Sequence, residues 1–291
     1  VTDLQKRIRN DIYIVGAVFC GNAALKFIVP VIIGAVLKAL QFNPQNAPVM
    51  TYILNITISV LINYALPLIM FGYLFRNKKA EAENVLPFKA VMLIPLFLAA
   101  YFATLTGGIV SSIFIKPTPF ELPESSVQKI LFYFLIIIIA PVCEELIFRK
   151  MLLTPLRKAG DLQAIIFTSV FFALSHGSAG QILYAFLGGL VLGFIAVRTN
   201  NITISIIIHM MINGFELFRM ELIRNNVNTD IMLLNLFVAG AAAVIFLIIR
   251  RFFKLKNNCP EIPRAERLKL LYYNPLLVLS VALLIIVMGI T

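Results

Sequence analysis

The sequence predicts an all-α, polytopic transmembrane helical bundle of about eight to nine spans, a single integral membrane domain over residues 1–291. Three observations carry that expectation. Hydrophobic residues make up 60% of the chain and charged residues only 13%, whereas a soluble domain carries about 25% charge. Mean hydropathy is +0.93. The charges are also sorted along the chain, with apolar runs long enough to cross a ~30 Å hydrocarbon core separated by short basic or Pro/Asn-rich stretches. The ~10-residue alternation of an outer-membrane barrel is absent from the sequence.

Spans are expected at about 12–37, 51–75, 89–115, 129–150, 162–176, 180–198, 202–222, 231–250 and 271–290. The first follows Lys6, Arg7 and Arg9, contains Asn22 and Lys26, and lacks a small-x-small cleavage site. It is therefore expected to be a retained span. No C-terminal lipidation is expected from the ending Val287-Met288-Gly289-Ile290-Thr291. Pro67 and Pro95 should kink their helices. Asn55 and Asn63 should bond across helices, and Lys26 should snorkel or pair. The run 162–176 is short and its link, Gly177-Ser178-Ala179-Gly180, is too small to reach far into water, which leaves a broken or re-entrant helix open there. Gly189-x-x-x-Gly193 should permit close helix packing.

The net charge is +11. The basic residues sit at the ends of apolar runs rather than on one stripe with interleaved aromatics, so they indicate topology and not a nucleic-acid partner. With the N-terminus cytoplasmic, the inside segments 1–11, 76–89, 149–163, 198–201 and 250–270 hold 19 of the 25 Lys/Arg. The outside segments hold Lys38, Lys116 and Arg224. This bias predicts an N-in, C-out chain. The stretch 250–270 is expected to be a solvated basic loop facing anionic lipid. Cys20, Cys143 and Cys259 lie far apart without CxxC spacing, so neither a disulfide framework nor a thiolate metal site is expected.

Ionisable groups in hydrocarbon are costly, so each one within a span is a functional candidate. The run Leu135 to Cys143 leads directly into Glu144-Glu145, with Arg149 following. Glu145 and Arg149 are spaced i, i+4 and can pair along a helix, which leaves Glu144 free to face a cavity as a general base for water. A plain interfacial helix end is the bland alternative. Both histidines of the chain, His176 and His209, sit in or beside apolar runs. A single one would read as a satisfied core residue; two of two point to a site. His209 and Asn213, again i, i+4, share one helix face and could act as paired donors to a developing oxyanion. Glu216 extends that face by a turn and could tune His209, or stand at the interface.

These residues resemble the CAAX protease and bacteriocin-processing family, also called the Abi family, which includes the type II CAAX prenyl endopeptidases. The pattern is Glu144-Glu145-x-x-x-Arg149, then Phe172-x-x-x-His176, then His209-x-x-x-Asn213. The resemblance covers roughly 129–220, the expected catalytic core. It implies an intramembrane, metal-independent glutamic endopeptidase without a cofactor. Glu144 and His176 would activate water, His209 and Asn213 would form the oxyanion hole, and Glu145, Arg149 and Phe172 would support them. The implied partners are membrane lipid and a peptide or protein tail or leader, lipidated or not, and the expected location is a prokaryotic cell membrane with the N-terminus cytoplasmic.

Rival readings are a zinc-dependent membrane peptidase and a non-catalytic immunity or scaffold protein of the same family. Glu144, Glu145, His176 and His209 could ligate zinc, but the His-Glu-x-x-His spacing is missing. A transporter is disfavoured by the absence of matching Gly/Pro-broken helices in two halves. One geometric tension accompanies the leading reading. Counted at 1.5 Å per residue from the expected span ends, Glu144 and His209 lie about 10 Å from the cytoplasmic edge and His176 about 20 Å. The site closes only if the helix before His176 starts outside the membrane, tilts or breaks.

Overall fold

The computed structural model describes residues 3–42, 45, 47–75, 85–115, 122–123, 125–255 and 261–290. Cys259, Lys116 and the basic residues of 76–84 lie outside the described residues. The described chain is helical and contains no strand, as expected where every backbone polar group in hydrocarbon must be satisfied within its own segment. Helix α1 is Asp3–Ala39. Helix α2 (Pro48–Val60) continues through a π-helical segment, Leu61–Ala65, into α3 (Leu66–Phe75). After a 3-10 turn, α4 covers Leu93–Phe114. A long composite helix follows: α5 (Ser126–Phe134), a π segment (Leu135–Ile139), α6 (Ala140–Glu145), a second π segment (Leu146–Leu153), α7 (Thr154–Leu156) and a 3-10 turn (Arg157–Ala159). Then come α8 (Asp161–Ser175), α9 (Ala179–Thr199), α10 (Ile202–Arg224), α11 (Asp230–Ile249), α12 (Arg264–Tyr272) and α13 (Pro275–Ile290).

Each of the three π segments ends just before a proline, at Pro67, Pro141 and Pro155. Proline has no N–H and its ring collides with the carbonyl of the preceding turn, so the helix widens upstream of it. In a π turn the N–H of residue i reaches the carbonyl of i−5, as Leu66 does to Leu61 and Ala140 does to Leu135. The next bonds in each series would need the N–H of Pro67 on Ile62 and of Pro141 on Ile136. Both are missing, and side-chain amides replace them: Asn22 Nδ2 donates to the Ile62 carbonyl at 2.6 Å and Asn213 Nδ2 to the Ile136 carbonyl at 2.9 Å. Pro67 thus acts through a π widening. Pro95 sits in the first turn of α4, where a missing N–H costs no helical bond, so the expected kink has no cause there. Asn63 is also corrected: its amide bonds Ser59 within its own helix rather than across helices.

Among the described residues, seven helices are long and apolar enough to cross a membrane, and eight if α12 and α13, bent by 58°, count as one span. The expected span 162–176 is α8, whose 15 residues reach only about 22 Å, short of a ~30 Å core. Helix α8 instead packs as a hairpin on α9. A Cβ at Gly189 would meet Phe172 and Ser169 at 3.0 and 3.3 Å, and one at Gly193 would meet Ile165 at 2.9 Å. The small-residue face of α9 is what admits α8. Gly177, at φ +70°, makes the reversal between them.

The composite helix runs nine residues past the boundary expected at 150, to Ala159. Glu144 therefore lies about 20 Å from the end of its helix, and His176 about 20 Å from the start of α8. The mismatch in depth between these two residues disappears. Core packing surrounds this region: Phe19, Phe71, Phe148, Phe167, Phe171 and Phe172 are all buried.

Candidate active site

A cavity of about 1170 Å³ opens between α1, the α2–α3 helix, α4, the composite helix, α8, α9 and α10. Glu144, His176, His209 and Asn213 all line it. They come from two helices, the composite helix and α10, and from the end of a third, α8, so only the packing of the bundle brings them together.

Glu145 and Glu144 point to opposite tasks, as adjacent residues on a helix must. Glu145 is fully buried and points away from the cavity. Its carboxylate lies 3.3 Å from Arg149 Nε, accepts from Ser205 Oγ, and lies 3.1 Å from His209 Nδ1. Arg149 is itself buried, donates to the Gly189 carbonyl at 3.2 Å, and stacks its guanidinium 4.5 Å from the Phe172 ring centroid. This is the i, i+4 pair, closed on both sides by partners from α8, α9 and α10. A carboxylate ionised by Arg149 can only accept, so His209 carries its proton on Nδ1 toward Glu145.

Glu144 is 15% exposed at its side chain and faces the cavity. One oxygen accepts from Tyr64 Oη at 3.0 Å. The other lies 3.6 Å from His209 Nε2, within ion-pair reach and too long for a direct hydrogen bond. His176 caps the C-terminus of α8, and its Nδ1 donates to the Phe172 carbonyl at 2.8 Å. That bond leaves Nε2 as the unprotonated nitrogen of the neutral ring. Phe172 lies edge-on to both imidazoles, with centroids 4.8 Å from His176 and 5.8 Å from His209. Asn213 spends one amide N–H on the Ile136 carbonyl and keeps a second for the cavity.

Two contributors had no signal in the sequence. Tyr64 and Ser205 touch the two glutamates across 80 and 60 residues of chain. Lys26 lines the cavity and donates to the Ser175 carbonyl at 3.3 Å. Glu216 also lines the cavity, but it is held by Tyr101 and by Arg219 at 2.9 Å rather than by His209. Cys20 and Cys143 are free thiols. Among the described residues no group of three His, Cys, Asp or Glu side chains is placed to hold a metal ion.

Residues 126–215 match the family model described as type II CAAX prenyl endopeptidase Rce1-like. That segment contains all four cavity residues named above. Over 105 residues the chain is 30% identical to a Bacillus subtilis protein named "Putative membrane peptidase YdiL", covering 35% of this chain and 43% of that protein. Over 163 residues it is 25% identical to an uncharacterized protein of Mycoplasma capricolum, covering 50% of this chain and 48% of that protein. The chain thus spans less than half the length of these curated relatives. No solved structure matches it. These matches bear out the resemblance to the CAAX protease and bacteriocin-processing family that the three short motifs carry.

Proposed function

We propose that the chain is an intramembrane glutamic endopeptidase that cleaves a membrane-associated peptide or protein tail without a metal. The carrying observation is Glu144: a carboxylate facing a large cavity, oriented by Tyr64, with His209 Nε2 across from it. The family match over 126–215 and the membrane-peptidase name of a relative support the same reaction class.

In this reading a water enters beside Glu144 and the free Nε2 of His176. Those two groups take its proton as it attacks the peptide carbonyl. The oxygen of the tetrahedral intermediate is held by the second amide N–H of Asn213 and by His209 Nε2. Donation from Nε2 requires the doubly protonated imidazole, because Nδ1 already donates to Glu145. In that state Glu144, Glu145, Arg149 and His209 sum to zero charge. A neutral, hydrogen-bonded cluster is the arrangement a low-dielectric interior tolerates. Collapse of the intermediate expels the amine, which takes the proton held on the Glu144–His176 pair.

The test is cleavage of a library of internally quenched peptides, with and without an S-prenyl or N-acyl chain, by the full chain reconstituted in phosphatidylglycerol-containing liposomes. Wild type should cleave a subset, and Glu144→Gln should lose about 10²–10⁴-fold in rate with its fold intact. A folded Glu144→Gln protein that cleaves at the wild-type rate overturns the proposal.

A further inference from the structure

The matched segment begins at residue 126, yet the cavity is closed by helix α1, far upstream. Three side chains on one face of α1 meet the elements that carry the site. Phe19, Asn22 and Lys26 follow an i, i+3, i+7 spacing, which places them on a single stripe. Phe19 packs against Phe71, Phe148 and Phe171, with ring centroids 5.8, 6.2 and 4.6 Å away. Phe148 lies one turn beyond Glu144, Phe171 lies on α8 before His176, and Phe71 lies on the helix that carries Tyr64.

The two polar members of the stripe act on specific backbone atoms. Asn22 supplies the donor that Pro67 cannot give to the Ile62 carbonyl, inside the π segment that bears Tyr64. Tyr64 in turn donates to Glu144. Lys26 donates to the carbonyl of Ser175, the residue directly before His176, at the negative end of α8. The other cation on the cavity wall, Arg219, is matched by Glu216. Among the described residues Lys26 pairs with this backbone oxygen.

We propose that α1 is part of the catalytic apparatus as a positioning element: Asn22 sets Glu144 through Tyr64, and Lys26 sets His176 through the end of α8. One stripe thereby fixes the distance and angle between the two groups assigned to water activation, which arise on different helices. The proposal rests on the peptidase reading above. Asn22, Lys26 and Tyr64 are positioning residues, and their loss should lower kcat without weakening substrate binding, because misplacing a general base by a fraction of an ångström acts on the transition state.

The experiment uses the full chain in liposomes and the library peptide it cleaves best. Tyr64→Phe keeps the ring and removes only the hydroxyl; Lys26→Met keeps an unbranched chain and removes the ammonium, both its charge and its hydrogen-bond donors. Each should lower kcat at least tenfold, leave KM within about twofold and leave thermal stability near wild type, and Lys26→Arg should recover most of the rate. Wild-type kcat in both Tyr64→Phe and Lys26→Met, beside an inactive Glu144→Gln, overturns this inference and leaves the peptidase reading standing. A raised KM at unchanged kcat in Lys26→Met also overturns it, since Lys26 would then bind substrate. If Lys26→Met fails to fold, Tyr64→Phe and Lys26→Arg decide: the inference fails if Tyr64→Phe has wild-type kcat. Cleavage of no peptide by wild type overturns the peptidase reading and this inference with it.

Discussion

His209 and Glu145, 64 residues apart in the chain, meet through Nδ1 and Oε1 at 3.1 Å, and this contact turns the imidazole so that its other nitrogen faces Glu144. The buried glutamate orients the ring and the other glutamate faces the cavity. Arg149, Ser205 and His209 all converge on Glu145, so it is the centre of a buried polar network whose members depend on one another.

That network predicts a stability effect. Glu145→Ala strands the Arg149 guanidinium, which is 1% exposed at its side chain, and breaking such a buried pair typically costs about 3–5 kcal/mol. Thermal unfolding in detergent should show Glu145→Ala well below wild type, and the joint change Glu145→Leu with Arg149→Met should be less destabilised than Glu145→Ala. Equal stability of Glu145→Ala and wild type would show that the network contributes nothing.

Asn213 makes one structural bond and carries the oxyanion in the proposed mechanism, and the two roles separate by magnitude. Losing its bond to the Ile136 carbonyl should cost about 1 kcal/mol of stability, whereas losing an oxyanion donor should lower kcat about 10²–10³-fold, about 2.7–4 kcal/mol in the barrier. Asn213→Ala should therefore show a small drop in Tm and a large drop in single-turnover rate at similar substrate affinity. Asn213→Asp should be at least as harmful, because a carboxylate oxygen would face both the Ile136 carbonyl and the oxyanion. A variant that melts early but cleaves at the wild-type rate while folded removes Asn213 from the mechanism.

Metal independence is tested directly. Cleavage should survive prolonged treatment with strong chelators, and elemental analysis of the purified protein should find zinc below one equivalent. Activity lost on chelation and restored by added zinc would establish the zinc-dependent reading in its place.

The bias of Lys/Arg toward one set of loops predicts a cytoplasmic N-terminus. In a cysteine-free background, a cysteine at Lys254 should be shielded from an impermeant thiol reagent in intact cells, and one at Leu40 should react. The opposite labelling pattern would place the N-terminus outside.

The amino-acid sequence by itself determined the helical membrane class and the local pairs. Apolar runs in hydrocarbon must become helices, since each then satisfies its own backbone. The Glu145–Arg149 pair and the shared face of His209 and Asn213 follow from a four-residue spacing that any helix converts into proximity. Even the π segments had a local cause in Pro67, Pro141 and Pro155. What only the tertiary structure decided are the contacts made across helices: Tyr64 on Glu144, Ser205 and His209 on Glu145, Asn22 on Ile62 and Lys26 on Ser175. The depth of His176 belongs with them, because it depends on where α8 starts and on how closely Gly189 and Gly193 let it approach α9. Such contacts depend on helix rotation and crossing, which side-chain packing sets across the whole bundle and no periodicity within one segment encodes.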